Sequence, residues 1–135
     1  MEGLVEKKPI NPVGWQDAFG FAQGTLVSGA QDIMMISGQV PVDAEGTPQH
    51  AGDLASQITL AFDNLEAVLA KAGWSLADIV DIRIYTLDMD NFLEASEPMW
   101  VRLAEAGCTP SSSLLGVARL FHPDVLVEIE AVAMK

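Results

Sequence analysis

The sequence predicts an α+β domain: a mixed sheet with two helices lying on one face. Three observations carry that expectation. The chain alternates extended and helical patterns in the order β-β-α-β-α-β-β, with a helix crossing between strands. A single apolar stripe, Leu54, Ile58, Ala61, Leu65, Val68 and Ala72, repeats at helical spacing and needs a sheet to cover it. The C-terminal segment alternates strictly, with Val125, Val127, Ile129, Ala131 and Ala133 on one face and Leu126, Glu128, Glu130 and Val132 on the other.

Each element has a local reason. Residues 1–18 hold Pro9, Pro12 and Gly14 and read as an extended arm with turns. Residues 19–28 read as a glycine-containing strand, closed by turn chemistry at Gly29-Ala30-Gln31-Asp32. Residues 33–40 form an apolar run of strand length, expected to be covered on both faces or nearly so, and Pro41 ends it. Asp53 is a suitable N-cap for the striped helix, and Gly73 stands where a helix-ending glycine belongs. Ser75 to Asp78 has the spacing of a capping box for a single turn, and residues 80–87 alternate as a strand.

Residues 88–91 read as a loop. A second helical region spans 92–106, where Pro98 would break an interior turn. A short turn at 92–95, then Ser96 as N-cap with Pro98 in the first helical turn, resolves that conflict. Residues 109–120 and 125–133 are the last two strands, read as a hairpin joined by Phe121-His122-Pro123-Asp124.

A length of 135 residues suits one domain spanning 1–135, and a 50% hydrophobic content supplies its core. In a chain this small, with many apolar strand residues, the second sheet face is expected to be covered by another copy of the chain. Seven basic residues against nineteen acidic give a net charge of −12, which opposes binding to nucleic-acid phosphates. No apolar run reaches the length of a membrane span, so no membrane partner is expected. The first residues lack the apolar core of a signal peptide, and Cys108 is the only cysteine; both point to a reducing cytoplasm.

Common catalytic arrangements find little support. His50 and His122 fall in expected loops without ligand partners at metal-binding spacing, so no metal and no cofactor is expected. Cys108, after a helix-ending glycine, reads as a small buried hydrophobe. Ser111, Ser112 and Ser113 lack a nucleophile-elbow context, and the glycines form no phosphate loop. Glu128 and Glu130 stand out as carboxylates inside the strongest β-pattern. The simplest reading has both in water or against a partner chain; the sharper one puts one of them in a cleft.

Several segments together resemble the Rid/YjgF family, the reactive-intermediate deaminases also known as L-PSP endoribonucleases. They are Ile36-Ser37-Gly38-Gln39-Val40-Pro41-Val42, then Gly46, then Gln57 with Asn64-Leu65 and Val68-Leu69, Ala72-Gly73 and Asp78-Ile79-Val80. Val117-Ala118-Arg119-Leu120 and Val127-Glu128-Ile129-Glu130-Ala131 complete the pattern, which spans about residues 19–133. The resemblance implies a chorismate-mutase-like α+β fold and a homotrimer whose sheets form a central barrel, with ligand clefts between subunits.

It also implies hydrolysis of 2-imino or enamine acids to 2-oxo acids and ammonia. In the family pattern an arginine two residues after a proline clamps the substrate carboxylate with two hydrogen bonds. A glutamate of the final strand positions or activates water. The glutamate matches Glu128, and the serine of the Ser-Gly-Gln motif matches Ser37. A family tyrosine falls at Phe21, which has no hydroxyl, and a cleft asparagine falls near Ser96. The arginine falls at Ser112, which can supply neither a cation nor a two-pronged donor.

Three functions follow as expectations. The first is a protein of this fold that binds or transforms a small, less acidic or differently shaped metabolite, with Glu128 as acid/base or polar anchor and Phe21, Ser37, Ser96 and Ser112 lining the site. The second is an imine or enamine deaminase, a hydrolase, using another cation such as Arg83. The third is a non-catalytic trimeric binding or chaperone-like module. Endoribonuclease activity ranks last because of the acidic charge.

Overall fold

The computed structural model describes residues 4–135. Its centre is a four-stranded mixed sheet built from β3 (Ile33–Gln39), β4 (Ile79–Thr86), β5 (Ser111–Gly116) and β6 (Val127–Met134), in the order β3-β6-β4-β5. β6 is antiparallel to both its neighbours, while β4 and β5 are parallel. A two-stranded sheet of β1 (Glu6–Ile10) and β2 (Gly24–Ser28) stands apart from it. Three α-helices, α1 (Leu54–Lys71), α2 (Met89–Ala95) and α3 (Glu97–Glu105), and two short 3-10 turns, Trp15–Phe19 and Leu76–Asp78, complete the described elements. The α+β class and the mixed sheet with helices on one face are as the sequence predicts, with three helices in place of two.

The core forms where α1 lies on the sheet. Leu54, Ile58, Ala61, Phe62, Leu65 and Leu69 are buried against Ile82, Ile84, Val127, Ile129 and Ala131. Each of the larger of these side chains, the two alanines aside, contributes about 1.5–3 kcal/mol relative to full exposure. Asp53 caps α1 by accepting a hydrogen bond from the Ser56 backbone N–H at 3.1 Å. Gly73, at φ 78°, takes the left-handed turn after the helix. Val68 and Ala72 are exposed, and Leu69 takes the inward place instead. Gln57, fully buried, joins α1 to the segment before β6: its amide donates to the Asp124 carbonyl at 2.6 Å and accepts from the Leu126 N–H at 2.9 Å.

Several sequence expectations need correction. The last two strands are not a hairpin, because β4 lies between β5 and β6 and pairs with both. Alternation identifies a strand but says nothing about its neighbour, and residues 117–126 are long enough to carry the chain past β4. Within the arm, residues 6–10 pair with β2, and 15–19 form a short 3-10 turn, so the strand expected from residue 19 begins at Gly24. The loop expected at 88–91 opens α2, because the Asp88 side chain accepts from the Asn91 N–H and caps a helix there. β3 is covered on one face only in this chain: Ile36 is buried while Ile33 and Met35 are 62% and 75% exposed.

Candidate functional site

The sheet separates the five residues singled out from the sequence into two groups. In β5, Ser112 pairs in register with Ile82 and Leu114 with Ile84, so both share the helix-covered face. In β6, Glu128 pairs with Tyr85 and Glu130 with Arg83, on the opposite face. Ser37, next to the inward-facing Ile36 and itself exposed, belongs to that open face too.

On the helix-covered side a cavity of about 550 Å³ opens between the 3-10 turn, α2, α3 and the β5 edge. Phe21, Ser96 and Ser112 all line it, together with Trp15, Trp100 and Leu114. The chain builds this wall by bringing residues 15–22 alongside β5, where the Ala22 N–H donates to the Pro110 carbonyl at 3.0 Å and Ala22 bridges to Ser111. Trp15 packs edge-on against Phe19 and Phe21, with ring centroids 6.2 and 5.7 Å apart. Gln16, 1% exposed, anchors the turn from behind by accepting a hydrogen bond from the Gln23 side chain.

Ser96 sits where α2 ends and α3 begins. Its backbone N–H donates to Phe92 and its carbonyl accepts from Met99, both at 3.0 Å. Its side chain makes no capping bond and lies in the cavity wall, on a residue only 4% exposed. Among the described residues no basic side chain lines the cavity, and Glu97 is the one charged residue of its lining. Arg102 is engaged elsewhere, 2.7 Å from Asp63 and 3.1 Å from Glu66 and over the Phe62 ring. Arg83 lies on the open face and pairs with Asp81 at 3.2 Å, and Arg119 is exposed on the segment after β5.

The open face carries its own polar group. The Tyr85 hydroxyl donates to Glu130, and Glu128 is half-buried beside them. Burial, and then the negative charge of Glu130, push the Glu128 carboxyl above the ordinary glutamate range. Its hydrogen bond to Glu130, followed by burial, raises Tyr85. A carboxyl held above its usual range is suited to carrying a proton to or from a reacting group.

The remaining reactive types are placed structurally. Cys108 is buried, its thiol donates to the Ile79 carbonyl at 3.3 Å, and burial pushes its pKa up to about 11, which keeps it an unreactive thiol. The Ser111 hydroxyl lies 3.0 Å from the Val80 carbonyl and 2.8 Å from the Asp81 carboxylate, which share its one proton. His122 Nδ1 accepts from the Asp124 N–H at 3.0 Å in a turn. Sequence reasoning missed Trp15, Phe19 and Trp100 as cavity walls; the signal available was three aromatics at 15, 19 and 21 on a segment otherwise read as arm and strand.

Comparison with known proteins agrees with this architecture. Residues 18–135 match the family model described as endoribonuclease L-PSP. The chain is 32% identical over 117 residues to the 2-iminobutanoate/2-iminopropanoate deaminase of Escherichia coli, covering 84% of this chain and 90% of that protein. A conserved Rid family protein of unknown function from Yersinia pestis has a solved structure similar at a TM-score of 0.87 and 30% identity, covering 96% of this chain and 98% of that one. The structure of Escherichia coli TdcF with bound serine is similar at a TM-score of 0.68 and 29% identity, covering 94% and 93%. No described helix is long and apolar enough to cross a membrane.

Proposed function

The chain belongs to the endoribonuclease L-PSP family, the Rid/YjgF proteins, and from that membership we propose that it binds or transforms a small metabolite in a cleft shared between copies of itself. One observation carries the reading: Ser112 with its cavity and Glu128 project from opposite faces of one sheet. One chain alone cannot bring them together. A second copy laid on the open face can supply its own cavity to Glu128, and a closed ring of three copies leaves no face uncovered. The exposed Ile33, Met35 and Leu115 give that contact an apolar component. The serine-bound relative supports a small-molecule ligand.

In this reading Glu128 is the acid/base or polar anchor, and Phe21, Ser37, Ser96 and Ser112 line the cleft. Ser112 in place of a cation removes the means of holding a carboxylate, which argues for a less acidic metabolite. Sedimentation is expected to show a trimer, and a monomer overturns the shared cleft. Freshly generated 2-iminopropionate is expected to be a poor substrate; turnover matching the Escherichia coli deaminase assayed side by side would overturn that.

Similarity to that deaminase favours a second reading, imine hydrolysis proper. The Glu128→Ala variant separates both from the non-catalytic trimeric binding or chaperone-like module: loss of activity supports a working carboxylate, and every measurable activity left intact supports the module.

A further inference from the structure

The cavity carries the reading further. Resting on the shared cleft proposed above, we infer that this site takes a planar, uncharged, carboxylate-free ligand, its ring among Trp15, Phe21 and Trp100 and its polar atom held by the Ser96 and Ser112 hydroxyls.

Shape is the first reason. Trp15 meets Phe19 and Phe21 edge-to-face at interplanar angles of 71° each, so each contact covers at most one face of one ring in the pair and leaves aromatic face for a flat guest. Trp15 and Phe19 are 60% and 59% exposed, an aromatic surface that a bound ring would remove from water. The volume, about 550 Å³, lies within the range typical of sites that enclose drug-sized ligands.

Polarity is the second. Ser96 is 96% buried by residue, its hydroxyl caps neither helix, and it lines the cavity. That hydroxyl opens on the cavity, where water or a ligand N–H or carbonyl can meet it. Ser112, from the β5 edge, lines the same space.

Charge is the third. A carboxylate would meet no basic side chain among the described residues lining this cavity; the open-face Arg83 that a second copy brings is already paired with Asp81, and Glu97 and that copy's Glu128 would repel a carboxylate in a chain of net charge −12. An ammonium gains little either: Glu97 is exposed and screened by water, burial and Glu130 disfavour charge on the Glu128 that a second copy brings, and the walls would strip the ammonium of its hydration.

Calorimetric titration of the full chain with indole, indole carboxylate and an aminomethyl indole tests the inference. Indole is expected to bind at least about tenfold tighter than either charged analogue. Trp15→Ala is expected to weaken indole by a similar factor with unchanged Tm, since Trp15 lies outside the core. Tighter or equal binding of the carboxylate or the amine overturns the ligand class, as does absence of indole binding or indifference to Trp15→Ala. A trimer that prefers the carboxylate keeps the shared cleft and loses only this inference. A monomer that prefers indole does the reverse.

Discussion

The Glu128 side chain lies over the α-carbon of Gly38, in the space where a side chain at position 38 would begin. A Cβ built there would come within 2.8 Å of Glu128 Cγ. The Ser37-Gly38-Gln39 motif and the final-strand glutamate are therefore one unit, with the glycine giving room to the carboxyl. Gly38→Ala is expected to move the Glu128 side chain to another rotamer at a stability loss of about 1–3 kcal/mol. A crystal structure of the variant with the carboxyl unmoved above the new methyl group would refute this.

Glu128 also sets a pH dependence. Its folded pKa is raised by burial and by Glu130, so the folded state holds this proton more tightly than the unfolded chain does. Its contribution to stability is therefore greatest below the usual glutamate pKa, about 4.3. That contribution is lost as pH rises through the raised folded value. Glu128→Gln is expected to raise Tm at neutral pH, with the advantage shrinking toward zero as pH falls through the ordinary glutamate range. A variant less stable than the parent at neutral pH would contradict the sign.

Gln57 offers a test of the fold. Its amide satisfies the Asp124 carbonyl and the Leu126 N–H from a fully buried position. Gln57→Leu keeps the volume and strands both backbone groups, at a cost of about 3 kcal/mol. Urea unfolding measures it, and a loss below 1 kcal/mol, about the net worth of one hydrogen bond, would mean water replaces the amide.

Ser112→Arg tests the missing clamp. A guanidinium at the cavity wall would pair with a substrate carboxylate, an interaction of about 2–5 kcal/mol. 2-Iminopropionate hydrolysis is then expected to rise by about thirtyfold to several thousandfold in kcat/KM. No gain in a folded trimer would show that position 112 does not face the substrate carboxylate.

Much of this molecule was legible in its sequence, and the limits have physical causes. α1 declared itself through its stripe, its Asp53 cap and Gly73, though Leu69 rather than Val68 faces the sheet. The two faces of β6 follow from alternation alone. The partner of a strand does not, which is why β5 and β6 read as a hairpin while β4 lies between them. Phe21, Ser96 and Ser112 come from three distant segments, and only the family resemblance joined them before the cavity did. The separation of Ser112 from Glu128 depends on strand register, which residue types do not encode locally.

The outer wall of the cavity has one further consequence. Residues 15–22 stand outside the central cluster, the buried Gln16 and Ala22 included, and are moored through a bridge at Ser111 and a few hydrogen bonds. On the function proposed above the chain divides its labour: α1 and the sheet would decide whether it folds, and a short peripheral segment what the cavity admits. Substitutions at Trp15 or Phe19, outside the central cluster, would then retune selectivity without drawing on the reserves that keep the domain intact.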